Sequence, residues 1–248
     1  MPVLKRADAE IYYEEYGSGF PVLLFAPGGM RSNIAMWHAP AEGGQRAWSD
    51  WTDVLTSRYR VIAMDQRNAG KSKGRIAAED GWHTYAADHL ALMDRLGHTR
   101  FHVLGSDIGA SFCLKLCELA PLRISAAVLQ DPIGWNAEYP TYHEDSTTDW
   151  GARHRALRPD AFDGATLAAF SHNMWSAGFV FSVNRDFAQS CTVPTLLLAG
   201  SDQAHPAMVS AELAELLPGV EVLYAWRGSD HLVAQRDTVL KFLVKHTP

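Results

Sequence analysis

Cysteine is scarce in this chain: Cys113, Cys117 and Cys191 are the only three among 248 residues. Their odd number and their spacing form no metal-binding pattern. Cys113 and Cys117 lie four apart on a helical pattern and read as small core residues. So few thiols place the chain, as an expectation, in a reducing cytoplasm. Positive charge is also in deficit, with Lys+Arg 22 against Asp+Glu 28 and a net charge of −6. No basic run stands out, so neither a nucleic acid nor an anionic membrane is expected as a partner. No apolar stretch approaches the roughly 20 residues of a membrane span. The opening Met1-Pro2-Val3-Leu4-Lys5-Arg6 turns charged too early for a signal peptide. Repeats and low-complexity tracts are missing too. What remains is ordinary globular material, 47% hydrophobic and 20% charged, long enough for one α/β domain with a modest insertion.

The order of elements is readable from short apolar runs. Strands are expected at 10–16, 21–25, 61–64, 101–104, 124–129, 193–199 and 220–226, and helices at 84–96 and about 233–245. Trp48, Trp51, Leu55 and Tyr59 are spaced like one face of a further helix. Nearly unbroken apolar strands alternating with helices argue for a mostly parallel sheet covered on both faces. Between Asp131 and Cys191 the rhythm stops, and Trp, Tyr, His and Asp become frequent. Leu167, Phe170 and Met174 mark a helix there, starting near Asp163. The segment 134–187 reads as a helical cap, with the core formed by 1–133 and 188–248.

The most informative stretch is Phe101-His102-Val103-Leu104-Gly105-Ser106-Asp107-Ile108-Gly109. A strand enters a Gly-x-Asp-x-Gly turn, and a helical stripe of Ile108, Phe112, Leu116 and Leu119 leaves it. This is the pattern of a nucleophile elbow. The two glycines suit a turn that packs helix on strand too closely for a Cβ. Asp107 would then stand in the open at a helix N-terminus, where a negative charge is favoured. The plainer alternative is an Asp that merely caps the helix. Ser106 sits one residue early and would point elsewhere.

Four motifs in order carry a resemblance: Pro27-Gly28-Gly29, Asp65-x-Arg67 through Gly70-x-Ser72, the elbow, and the late Asp202 and His231. On these the chain resembles the α/β-hydrolases over nearly its whole length. The resemblance implies an α/β-hydrolase fold and a cofactor-independent, metal-free hydrolase acting on a small molecule. It makes Asp107 the nucleophile, His231 the base and Asp202 the acid that orients it, with Asp131 as the alternative acid. Gly28, Gly29 and the N–H of Ile108 would form the oxyanion hole. The Asp65–Ser72 turn is structural in that family. Trp37, Trp135, Tyr139, Tyr142, Trp150 and Trp175 are candidate pocket aromatics, Trp37 and Trp175 foremost, although any one of them can equally be core.

An Asp at the elbow resembles the branch of haloalkane dehalogenases and epoxide hydrolases. A carboxylate attacks sp³ carbon bearing a good leaving group, whereas attack on an ordinary ester would give a mixed anhydride. Those enzymes typically carry Trp after the nucleophile, where this chain has Ile108. Three functions stay open at this point. One is a hydrolase working through an Asp107 alkyl ester on an alkyl halide or epoxide. Another is an ester, lactone or carbamate hydrolase with Asp107 in place of Ser or Cys. The last is a binding protein that has lost the chemistry. Oligomeric state and substrate identity are not legible in the sequence.

Overall fold

The computed structural model describes residues 2–38, 48–159 and 161–248. The strands are β1 (Val3–Lys5), β2 (Ala9–Gly17), β3 (Phe20–Phe25), β4 (Tyr59–Met64), β5 (Lys73–Gly74), β6 (Phe101–Ser106), β7 (Ile124–Gln130), β8 (Thr195–Leu198) and β9 (Glu221–Leu223). The α-helices are α1 (Ala35–His38), α2 (Trp51–Val54), α3 (Trp82–Arg95), α4 (Ile108–Leu119), α5 (Tyr142–Leu157), α6 (Gly164–Trp175), α7 (Arg185–Ser190), α8 (Ala207–Leu216) and α9 (Leu232–Lys245). The sheet runs β1-β2-β4-β3-β6-β7-β8-β9, with β5 paired to β2. Pairings from β4 through β9 are parallel, and β2 joins β4 antiparallel.

Side-chain alternation along the strands divides the interior into two layers. Leu23, Phe25, Ile62, Met64, Phe101 and Val103 face a core built with α3, α4, α8 and the segment between β7 and β8. Val22, Leu24, Val61, Ala63 and Leu104 face a core with Trp37, Trp51 and the α9 residues Val239 and Phe242. Every residue of β6 and β7 is buried, which is why these strands read as unbroken apolar runs.

Differences from the sequence reading have local causes. The Trp48–Tyr59 stripe yields only the single turn α2 and a 3₁₀ turn at Leu55–Ser57. Tyr59 is drawn into β4, where it pairs with Phe20 of β3. The last two strands are shorter than their apolar runs; Trp226 leaves the sheet and donates its indole N–H to the Ala199 carbonyl at 2.8 Å. Short edge strands β1 and β5 carry no apolar run at all. Three helices, α5, α6 and α7, lie between β7 and β8, and Asp163 caps α6 by accepting from the Thr166 N–H at 2.7 Å. Among the described residues no helix is long and apolar enough to cross a membrane.

The turn between β6 and α4 admits no side chain at either glycine. A Cβ on Gly105 would lie 2.1 Å from the Gly109 carbonyl oxygen, and one on Gly109 would lie 2.4 Å from that of Phe25. Asp107 between them takes φ 59° and ψ −124°, a conformation L-residues rarely adopt. Gly105→Ala and Gly109→Ala are each expected to lower Tm by roughly 5–15 °C. Gly164→Ala is the control, because a Cβ there meets nothing within 4 Å. Thermal denaturation of the three variants checks this, and equal Tm values for all three would contradict the close-approach account.

Candidate active site

Five loops converge at the C-terminal ends of the parallel strands, the usual place for a site in such a sheet. The loop after β3 brings Gly28 and Gly29, the elbow after β6 brings Asp107, and Asp131 follows β7. Asp202 and His205 follow β8, and Arg227 follows β9.

Asp107 stands at the centre, with its side chain 17% exposed. Its Oδ2 accepts from the backbone N–H groups of Gly28 at 2.7 Å and Gly29 at 3.0 Å. Both glycines have positive φ, 116° and 55°, which turns the two N–H groups toward one point. The Ile108 N–H, expected as a further donor, makes no hydrogen bond to this carboxylate among the described residues, so the two donors seen on it are Gly28 and Gly29. The other carboxylate oxygen, Oδ1, lies 3.7 Å from Nε2 of His205. That distance is an ion-pair contact, too long for a hydrogen bond.

His205 is oriented from behind. Its Nδ1 lies 2.7 Å from Asp202 Oδ1, and that same oxygen accepts from the backbone N–H groups of Ala204 at 3.1 Å and His205 at 2.9 Å. The 202–205 turn folds back onto the strand end because Gly200 has no Cβ; one there would meet the His205 carbonyl at 2.5 Å. Nε2 is buried and has no hydrogen-bond partner. An unpartnered buried nitrogen facing a carboxylate has hydrogen-bonding capacity left for a water or a substrate.

Arg227 ties the two candidate acids together. One guanidinium nitrogen lies 2.5 Å from Asp131 and another 2.6 Å from Asp202 Oδ2. The sequence reading weighed Asp202 and Asp131 against each other; the structure holds both in one charged cluster, with Asp202 bonded to the imidazole. Asp131, like Asp107, has positive φ, at 51°.

His231 makes no contact with Asp107 among the described residues. It sits in a 3₁₀ turn just before α9, is exposed, and its ring makes no hydrogen bond or ion pair among the described residues. The histidine brought to Asp107 is His205, from the β8 loop. Sequence reasoning passed over it because it lies only three residues beyond Asp202, inside the stretch read as the acid's own loop. The Gly200-Ser201-Asp202 spacing, one residue shorter than the family's commonest form, was the available signal that this loop differs.

Most of the other expected residues have packing or structural partners. Trp37 is 1% exposed and belongs to the core beneath α9. Trp175 is buried and donates its indole N–H to Thr147 Oγ1 at 2.7 Å. Trp135, Tyr139 and Tyr142 are exposed, and Trp150 stacks in the interior on His154 and Phe162. Ser106 turns away from the site and accepts from the Gln130 amide at 3.0 Å. Asp65 accepts from the N–H groups of Ile34 and Lys71 and so ties its own turn. Among the described residues no three His, Cys, Asp or Glu side chains converge as a metal-holding set.

The charges follow from these contacts. Burial disfavours the charged form of Asp107, but the His205 imidazole and the two glycine N–H groups outweigh it and hold the carboxyl below its ordinary range. Burial likewise works against a charged His205, yet Asp107, Asp202 and Asp131 together raise it to about 10. Asp202 is pulled down by His205 and Arg227 against its own burial. Burial pushes Asp131 up to about 6 despite Arg227. These contacts favour the protonated form of His205 beside the ionised forms of Asp107 and Asp202.

A family model described as alpha/beta hydrolase fold matches residues 21–174, well over half of the chain. The chain belongs to the α/β-hydrolase fold family. Among curated relatives it is similar to the candidate carbamate hydrolase RutD of Pseudomonas savastanoi pv. phaseolicola, with 28% identity over 83% of this chain and 91% of that one. It is also 30% identical to the protein of that name from Azorhizobium caulinodans, over 54% of this chain but only 45% of the relative. The crystal structure of the enol-lactonase from Burkholderia xenovorans LB400 superposes with a TM-score of 0.67, at 19% identity and covering 98% and 100% of the two chains. At that identity the likeness is one of fold.

The electrostatic account of this α/β-hydrolase site is testable without a substrate. Asp107→Asn removes the nearest negative charge, so the His205 pKa is expected to fall from about 10 by about 1–2. Because His205 holds its proton more tightly folded than unfolded, its contribution to stability is complete below pH 6.5 and is lost as pH rises toward about 10. In the variant that loss moves to lower pH. NMR titration of the His205 ring and urea unfolding from pH 6 to 10 measure both; an unmoved titration would separate the two residues.

Proposed function

We propose that this α/β-hydrolase attacks an sp³ carbon through Asp107 Oδ1, on a small substrate bearing a leaving group such as a halide or epoxide oxygen. The observation that carries the reading is the division of labour between the two carboxylate oxygens. Oδ2 already occupies the two-donor glycine site, while Oδ1 is left toward His205. A serine-type hydrolase needs that donor site vacant for the substrate's carbonyl oxygen. Here the oxygen that fills it is the nucleophile's own.

The route follows from that placement. Oδ1 forms a bond to carbon as the leaving group departs with its electron pair, giving an alkyl ester of Asp107. The ester carries no charge, so the strongest support for the His205 cation disappears, and the imidazolium gives up its Nε2 proton, to the leaving oxygen of an epoxide or to solvent when a halide departs. His205 Nε2 then draws a proton from a water attacking the Asp107 carboxyl carbon. The oxyanion formed there is Oδ2, still held by Gly28 and Gly29. Collapse breaks the bond from the carboxyl carbon to the alkyl-bearing oxygen; His205 returns its proton to that oxygen, the alcohol leaves, and the new carboxyl loses its proton to restore the carboxylate. Asp202 fixes the imidazole and stabilises its cation.

A second reading is favoured by the relatives, whose names specify a carbamate hydrolase and an enol-lactonase. In it the substrate is itself a carbonyl compound, and Asp107 with His205 activates water rather than attacking carbon. This requires Oδ2 to vacate the glycine site when substrate binds.

Intact-protein mass spectrometry on His205→Ala with alkyl halides, epoxides and activated esters separates the readings. The expected result is a stable adduct on Asp107 with a halide or epoxide, hydrolysed about 10²–10⁴-fold more slowly than in the parent protein. His231→Ala should hydrolyse the same adduct at the parent rate. No adduct, with turnover of an activated ester that survives in the parent and rises in Asp107→Ser, would replace the first reading by the second.

A further inference from the structure

The guanidinium of Arg227 bonds to two carboxylates and, among the described residues, to no other polar group. One terminal nitrogen lies 2.6 Å from Asp202 Oδ2 and the other 2.5 Å from Asp131 Oδ1, while Nε is buried without a hydrogen-bond partner. The two acids differ in how firmly they are held. The Asp131 side chain is 4% exposed, its φ is 51°, and its backbone N–H donates to the Leu198 carbonyl of β8 at 3.0 Å. The Asp202 side chain is 43% exposed, on the surface turn that carries His205. Arg227 itself comes off a rigid post, because its guanidinium lies over the Trp226 ring and that indole is bonded to Ala199. The firm acid and the post thus hold the guanidinium, and the guanidinium holds the looser acid.

That hold decides which oxygen of Asp202 meets the imidazole. Oδ1 faces His205 Nδ1 at 2.7 Å, and Arg227 is the partner of Oδ2. Without a cation between them Asp131 and Asp202 would repel, and the exposed one can escape by turning into water. Turning would take Oδ1 off Nδ1. An ionised carboxylate only accepts, so while Oδ1 stays in place the ring proton belongs on Nδ1. The lone pair of the neutral ring is then on Nε2, the nitrogen on the Asp107 side. A proton settled on Nε2 instead would leave no base there. The other charged or titratable groups acting at the ring are Asp107 from the elbow, Asp131 after β7, and His143 of α5, which burial keeps neutral.

We propose that Arg227 is a positioning residue: by gripping Asp202 Oδ2 from a support shared with Asp131, it keeps Asp202 Oδ1 on His205 Nδ1 and so keeps Nε2 free as the base. Arg227 touches neither substrate nor water in this role and acts only through Asp202. The role rests on His205 as the base, which the alkyl-ester and the carbonyl readings share. It is required at the moment when the Asp107 charge is gone, since Asp107 then no longer draws the proton to Nε2.

The test reads the tautomer of the neutral His205 ring from long-range proton–nitrogen NMR correlations at about pH 10, in an Asp107→Ala background. That substitution removes the charge that keeps the ring protonated and leaves Nε2 with no carboxylate to choose its tautomer. With Arg227 intact, the proton is expected on Nδ1 by about 10–100-fold, the worth of one hydrogen bond to a charged acceptor. Arg227→Gln is expected to cut that ratio by at least about 5-fold. Arg227→Met, which keeps bulk over Trp226, should do the same, and circular dichroism confirms the fold of each variant. Arg227→Lys, whose ammonium can still hold Asp202 Oδ2, should recover most of the ratio. An unchanged ratio in a folded Gln or Met variant, or a Lys variant no better than these, would overturn the role while leaving His205 as the base. A proton on Nε2 with Arg227 intact would overturn the pairing of Asp202 with His205, and the base assignment with it.

Discussion

The approach of α4 to β6 and β3, closer than a Cβ allows, is the constraint on which the site depends. Gly105 and Gly109 are the contact points, each within 2.4 Å of a carbonyl oxygen if given a Cβ. With the helix pressed so tightly, the chain between them turns only by forcing Asp107 to positive φ. That conformation lifts the carboxylate out of the turn, and the end of β3 lies alongside, so the Gly28-Gly29 loop can bond to it. A helix standing off by one methyl group would take the carboxylate away from both N–H groups. Local strain and tertiary hydrogen bonds are thus two parts of one arrangement.

Around that point the sheet delivers charge in alternation. Asp107, Asp202 and Asp131 are three carboxylates in a small space, which would repel one another if left alone. His205 sits between the first two and Arg227 between the last two, so each anion faces a cation. Arg227 is held over the Trp226 ring, 5.2 Å from its centroid, and Trp226 is bonded to the end of β8. The acid loop and the last loop are therefore locked to one another through both polar and aromatic contacts.

Much of this was legible in the sequence, and the parts that were not share a cause. The central strands and the elbow are written in short-range patterns: apolar runs for β3, β4, β6 and β7, and a glycine on either side of Asp107. Gly28 and Gly29 could be matched to the oxyanion loop for the same reason. The identity of the histidine facing Asp107 depends instead on how far a loop folds back, which a Cβ clash at Gly200 decides and no local pattern records. His231 has the family's sequence position and His205 has the contact. Arg227 was invisible because its partners follow β7 and β8, far away in the chain.

The charge arrangement also has a direction in time on the alkyl-ester route. A carboxylate held below its ordinary pKa is fully ionised at any physiological pH, so the nucleophile needs no activation step. The same anion keeps His205 protonated and hence unable to act as a base. Ester formation removes one negative charge from beside the imidazole, and only then can a water be deprotonated. Base activity is thereby confined to the state in which there is an ester to hydrolyse. Asp202 and Asp131 keep their charge or hydrogen bonding throughout, so the imidazole remains basic enough to accept the proton rather than falling to the pKa that burial alone would give it. On that route the three carboxylates are not redundant: Asp107 would switch the base on by losing its charge, and Asp202 and Asp131 would set how strong that base then is.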